Sequence, residues 1–237
     1  MATEEDRLSP EKRITKRRMK QDKLVSTAFK AAEYAQKNKK YFIGGISAVV
    51  LIALVVYFVN LSISRKEGAA QELLGRAQLA SAMQQPALAA ADFQNIIEEY
   101  GSTPAAKRAM YFLAKLYYDQ QKCDSAVYYY ENYIQRYAKN DDEMLVSSAY
   151  AGAATCLENT GDYAKAGEYY MKAAEAANNE LHSPGYYMNA GRAFDKAEQY
   201  DQAQKAYQAV VDKYSRSPFY STARKKLAEV EYKLRLG

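Results

Sequence analysis

One stretch limits what this chain can fold into more than any other. From Tyr41 to Leu61 it reads YFIGGISAVVLIALVVYFVNL, 21 residues without a charge, in which only Ser47 and Asn60 are strongly polar. At about 1.5 Å of rise per residue the run makes roughly 31 Å of helix, enough to cross a hydrocarbon core of about 30 Å. Tyr41 and Phe42 at one end and Tyr57 and Phe58 near the other are placed as interfacial aromatics. A buried core helix is the alternative, and Gly44-Gly45 beside an unbroken aliphatic run favours lipid over it. A cleaved signal peptide also competes, because Ser62-Ile63-Ser64 has the small-x-small form of a cleavage site. Its leading region would span residues 1–40, and its apolar block would exceed the usual 7–15 residues, so a span is preferred. No cysteine follows the block, which argues against a lipid-anchored lipoprotein.

Charge divides the chain around that block. Residues 1–40 hold 12 Lys and Arg against 6 Asp and Glu, whereas residues 62–237 hold 21 against 22. Near the block, Lys23, Lys30, Lys37, Lys39 and Lys40 precede it, and Arg65, Lys66 and Arg76 follow. The positive-inside rule therefore places the amino terminus in the cytoplasm and the larger part outside. Within the basic arm, Ser9-Pro10-Glu11 suits a helix start, and Val25, Phe29 and Ala32 fall on one helical face. Such a segment could lie on anionic lipid headgroups, each basic residue adding about 1 kcal/mol. Ribosome or nucleic-acid binding needs only the same charges, since phosphate contact is sequence-independent. A topology signal that is otherwise solvated is the preferred reading of the arm, and nucleic acid is not an expected partner.

Composition removes most chemistry. His182 is the single histidine and there are two cysteines, so no histidine-based triad, zinc site or disulfide framework is available. No phosphate-binding glycine loop, metal-ligand spacing or nucleophile motif is present, and no catalytic residue, cofactor or metal is expected. Asp141-Asp142-Glu143 reads as a solvated helix cap. Tyrosine is the excess residue, 23 against 7 Phe and no Trp, which suggests many half-buried rings with wet hydroxyls.

Beyond the block one pattern repeats. Leu113-Ala114-x-x-Tyr117 precedes Asp124-Ser125-Ala126, Tyr130 and Tyr133; Tyr150-x-x-Ala153-Ala154-x-x-Leu157 precedes Gly161-Asp162, Ala166, Tyr170 and Ala173. Tyr187-x-x-Ala190-Gly191-x-x-Phe194 precedes Tyr200, Ala203, Tyr207 and Val210, and Ala89, Phe93 and Ile96 form a fainter copy. The small residues let the two helices of a unit approach, and the aromatic four positions after each anchor alanine fills the gap above. The pattern resembles the tetratricopeptide repeat, W-x2-L-G-x2-Y…A-x3-F…P. It departs from that family in three ways. Anchor alanines 89, 126, 166 and 203 are 37 to 40 residues apart rather than 34, with the excess in Tyr137–Met144 and Asn178–Gly185. The first motif position holds Met110, Tyr150 and Tyr187, never Trp, and Gly101, Ala138, Asn178 and Ser215 stand where proline is expected.

The expected fold is all-α. A basic arm over 1–40 and a transmembrane helix over 41–61 lead into a repeat body over 62–237. Its units fall near 70–103, 107–140, 147–180 and 184–217, about four helix pairs in an α-solenoid. A capping helix over 218–235 carries the stripe Phe219, Ala223, Leu227, Val230 and Leu234.

What the resemblance implies about binding is a concave groove lined by the first helix of each pair. The groove candidates are Arg108, Tyr111, Lys115, Tyr118 and Asp119, then Ala151, Thr155 and Glu158, then Met188, Arg192 and Asp195. The family's carboxylate clamp of Lys and Asn is absent, because its positions hold Tyr111 and Lys115, Ala151 and Thr155, and Met188 and Arg192. Cytosolic chaperone-tail binding is therefore not expected. Tyr128-Tyr129-Tyr130 and Tyr169-Tyr170 are assigned to packing of second helices, with an outward ring on the convex side. Cys123 and Cys156 can be brought together by antiparallel stacking, and two buried thiols are preferred to a bridge. A single span with an outside tetratricopeptide body resembles the YfgM-type inner-membrane proteins, ancillary to the Sec translocon. That resemblance implies a non-catalytic bacterial inner-membrane scaffold with a periplasmic body, binding translocon subunits, a periplasmic chaperone or emerging chains. The alternatives are an envelope scaffold for outer-membrane assembly or cell-wall machinery, and a membrane-tethered ribosome or nucleic-acid binder working through residues 1–40.

Overall fold

The computed structural model of the chain describes residues 37–236 together with Ser26, Thr27 and Tyr34. The readings of the basic arm, with its helix start at Ser9-Pro10-Glu11 and its face of Val25, Phe29 and Ala32, lie outside the described residues. Among the described residues the secondary structure is helical with no strand. The chain divides into two units, Met1–Leu61 and Ser62–Gly237.

Helix α1 runs over Lys39–Ala82. In the first unit its apolar side chains point outward all round: Ile43, Ile46, residues 49–52 and residues 54–59 are all exposed. Ser47 turns its hydroxyl back to the Ile43 carbonyl at 2.8 Å, so this polar side chain satisfies itself within the helix. Among the described residues this is one helix long and apolar enough to cross a membrane.

The second unit is a tetratricopeptide-like solenoid. From Ser62 onward α1 pairs with α2 (Pro86–Glu99); α3 (Pro104–Asp119) pairs with α4 (Cys123–Tyr137). Then α5 (Glu143–Asn159) pairs with α6 (Tyr163–Ala177), α7 (Ser183–Lys196) with α8 (Tyr200–Lys213), and α9 (Tyr220–Leu236) closes the stack. Here α1, α3, α5 and α7 are first helices, and α2, α4, α6 and α8 are second helices.

The turns within pairs share one backbone device. Gln84, Gln121, Gly161 and Glu198 all take positive φ, between 57° and 89°, each five residues before an anchor alanine. The following amide reaches five residues back: Gln85 to Ala80, Lys122 to Tyr117, Asp162 to Leu157 and Gln199 to Phe194, each at 2.9 Å. That is the 6→1 bond of a Schellman ending, which suits glycine, yet three of the four positions carry a side chain. Turns between pairs are individual. Thr103 caps α3 by accepting from the Ala106 amide. Asp142 caps α5 through the Met144 and Leu145 amides after a 3-10 turn over Ala138–Asn140. Asn179 holds the last turn before α7 by accepting from Leu181 and His182.

The anchor alanines are buried to 0% exposure, and Tyr130, Tyr170 and Tyr207 beside them are almost as deep. Two glycines admit those rings. A Cβ on Gly152 would meet the Tyr130 ring at 2.6 Å, and one on Gly191 would meet Tyr207 at 2.5 Å. The closing helix buries Ala223 and Val230 and half-buries Leu227 and Leu234. Phe219 departs from the expected stripe, lying just before α9 and partly exposed near Gly185.

Candidate functional site

The candidate groove residues all sit on first helices: Arg108 to Asp119 on α3, Ala151, Thr155 and Glu158 on α5, and Met188, Arg192 and Asp195 on α7. They do not form a row of free side chains. Arg108, Glu158, Arg192 and Asp195 are tied to a neighbouring pair or to the closing helix.

Glu158 is the hub. Arg192 grips it with both guanidinium nitrogens, one at 3.0 Å, and Lys196 Nζ joins at 3.0 Å. Burial pushes the Glu158 carboxyl up, but the hydrogen bonds from Arg192 and Lys196 outweigh this and hold it below the usual carboxylate range. Behind it, the Thr155 and Tyr170 hydroxyls meet at 2.9 Å, and Thr155 also donates to the Ala151 carbonyl. Further along, Asp195 accepts from Lys233 of the closing helix at 2.5 Å. At the other end Arg108 lies 3.7 Å from Glu67 of α1. Lys115 and Asp119 pair with each other along α3 at 2.9 Å.

Two candidates belong to the interior. Tyr111 packs edge-on against Tyr130 and Tyr133, with centroids 6.0 and 5.7 Å away. Burial raises its hydroxyl above the ordinary phenol range, against a smaller lowering from Ser148. Met188 is half-buried against the cores of both flanking pairs. Tyr118 is half-buried but reaches an opening that it lines with Asp119, Gln121, Cys123, Asn159 and Thr160.

Several functional side chains were not anticipated from the sequence. Lys196, Lys233 and Glu67 complete the ion pairs above. Asp92 is a buried carboxylate that binds Arg76 of α1, one oxygen 2.7 Å from Nε. Asp141 is not the solvated cap expected of it. Its side chain is 6% exposed and accepts from Lys107 at 2.6 Å and Tyr133 at 2.5 Å, which leaves Asp142 as the cap. Burial pushes Asp141 up, and the bonds from Lys107, Tyr133 and the Asp142 amide bring it below the usual range. A signal was available: Lys107 and Asp141 are 34 residues apart, as are Glu158 and Arg192, while Glu158–Lys196 and Asp195–Lys233 are 38 apart. These spacings join equivalent places in successive pairs.

Second helices carry the tyrosines as expected. Tyr128 is the outward ring at 61% exposure, Tyr129 stacks on Tyr117 at 5.6 Å, and Tyr130 is buried. Tyr169 donates to Glu131 at 2.8 Å, and Lys165, which also binds Glu131, and Lys172 lie over its ring.

Comparison with known proteins agrees with this architecture. The tetratricopeptide repeat family profile matches residues 74–141 and 188–236. A solved structure from Podosopora anserina, described as a kinesin light chain of nearly identical TPR-like repeats, superposes with a TM-score of 0.51 at 15% identity. The match covers 70% of this chain and 87% of that one. The apo form of RapI gives a TM-score of 0.51 at 14% identity, over 70% of this chain and 64% of that one. At such identities the likeness is one of fold. No curated protein matches the sequence.

Proposed function

We propose that these tetratricopeptide repeats form a non-catalytic protein-binding scaffold held at a membrane by residues 41–61. The observation that carries the reading is one helix stretch whose apolar side chains are exposed on every side, in a chain whose remaining apolar side chains mostly fill a repeat core. A helix apolar all round is suited to lipid rather than water. The lysines before Tyr41 favour a cytoplasmic amino terminus and a body on the other side. In a bacterium that is a single-pass inner-membrane protein with a periplasmic body, whose partners would be translocon subunits, a periplasmic chaperone or emerging chains.

The contact surface in this reading is the first-helix face. Lys115, Tyr118, Asp119, Arg192 and Lys196 reach solvent there, with Lys115 and Asp119 paired to each other and Glu158 holding Arg192 and Lys196 from behind. Half-exposed ion pairs contribute little to folding, so a partner's charges can exchange for them at small cost. Arginine and tyrosine are also common interface anchors.

Purification of the full chain in mild detergent tests the partner. Co-recovery of translocon subunits is the expected result. Outer-membrane assembly or cell-wall components would instead make it an envelope scaffold. Ribosomes that are lost between low and moderate salt would move the activity to residues 1–40. Orientation is tested by a single cysteine at exposed Ser215, in a chain with Cys123 and Cys156 replaced by Ser. Labelling of intact cells should succeed, and labelling only after lysis would reverse the topology.

A further inference from the structure

Cys123 opens α4 at the turn of the second pair, and Cys156 lies in the last turn of α5 in the third pair. Both are free thiols sharing one core cluster with Tyr130 and Tyr133. Both pack in that one cluster, and burial, followed by the Cys123 thiol, pushes Cys156 up to about 12. Their surroundings differ. Cys156 is fully buried, whereas Cys123 is half-buried and lines the opening shared with Tyr118, Asp119, Gln121, Asn159 and Thr160.

We propose that Cys123 and Cys156 are a reversible dithiol–disulfide pair that staples the second helix pair to the third. The accessible partner reacts first. As thiolate, Cys123 attacks a disulfide supplied by a small molecule or an oxidoreductase, forming a mixed disulfide and releasing one thiol, which takes up the proton Cys123 gave. Cys156 then loses its proton and displaces the second thiol. The chain is oxidised by two electrons, and the incoming disulfide is reduced to two thiols. The closed loop runs from 123 to 156 and takes in most of α4 and α5, so cross-linking restricts a long stretch of unfolded chain. The link also fixes the α3–α4 turn against the end of α5, next to Tyr118 and Asp119 of the proposed contact face. The exchange itself is the same in either compartment, whose redox poise sets only how far it runs, so the pairing can be tested in vitro apart from the localisation proposed above.

The test uses the full chain in detergent, titrated with oxidised and reduced glutathione. Tryptic mapping without reductant should show the Cys123 and Cys156 peptides joined within one chain and parted by dithiothreitol. The oxidised chain should melt roughly 5–10 °C above the reduced one, a gap that Cys123→Ser and Cys156→Ala each abolish. Cys123→Ser sits at a half-exposed helix start and keeps the test readable if Cys156→Ala folds poorly. A stable glutathione adduct on Cys123 with Cys156 still reduced, or a dimer linked through Cys123, would overturn the pairing. A joined peptide with no change in melting would overturn the staple.

Discussion

On the first-helix side Glu158 of α5 grips Arg192 and Lys196 of α7, 34 and 38 residues further along. On the second-helix side Glu131 of α4 grips Lys165 and Tyr169 of α6 at the same two spacings. The carboxylate is used alike in both places, but what surrounds it is not. Tyr169 is enclosed by Tyr150, whose ring lies 5.8 Å away, and by the two lysines over its own ring. Arg192 and Lys196 leave nearly half of each side chain in water. A ring fills the space that the repeat leaves between pairs, and two long cations leave it open. The second-helix side therefore packs a ring beneath an exposed ion pair, and the first-helix side carries two exposed cations over a more deeply held carboxylate.

The comparison breaks most visibly if an interior ring is removed. Tyr133→Ala strips a fully buried ring from contact with Tyr111 and Tyr137 and removes the hydroxyl bound to Asp141. It should cost about 3–5 kcal/mol, read as a large drop in the melting point of the full chain. Next comes Gly191→Ala, which presses a methyl group into the Tyr207 ring and should cost about 1–3 kcal/mol in the same melt. A gain is expected from Gln121→Gly, because the turn already holds φ at 60°. Relief of the left-handed strain, less the added freedom of the unfolded chain, should stabilise by about 0.5–1 kcal/mol in denaturant titration.

The smallest effect belongs to the ion pairs and sharpens the contrast. Arg192→Ala with Lys196→Ala should cost under about 1 kcal/mol near neutral pH, given how exposed both cations are. The sign of its pH dependence follows from Glu158. Its folded carboxyl lies below the unfolded value of 4.5, so its contribution is complete above that pH and is lost as pH falls toward the folded value. Melting curves of the parent and the double variant should converge as the pH is lowered below about 4.5. Equal differences at pH 3 and pH 7 would show that the pairs do not stabilise through charge.

Much of this was legible in the residues. The anchor alanines, the tyrosines four positions on and the close approach at Gly191 follow from volume alone, and volume is written in the sequence. The exposed block at 41–61 is equally plain, because a charge-free run needs no partner to be noticed. The turns were half legible: Gly161 announced itself, but Gln84, Gln121 and Glu198 adopt the same backbone without a glycine. The ion pairs were hidden for another reason. Counting from the anchors gives 37 and 40, whereas the bonded residues are 34 and 38 apart because long side chains reach between helix faces. Asp141 was misread for the same cause, since its partners Lys107 and Tyr133 stand on two different helices.

The claim that one face binds while the other packs is open to direct measurement. Photo-crosslinking residues are placed singly in the full chain in membranes, at Lys115 and Arg192 on first helices and at Tyr128 and Lys205 on second helices. All four positions are exposed, so unequal yield would reflect partner contact rather than burial. The account predicts protein adducts from Lys115 and Arg192 and none from Tyr128 and Lys205. Adducts from Tyr128 and Lys205 alone would contradict it and move the binding surface to the second-helix side.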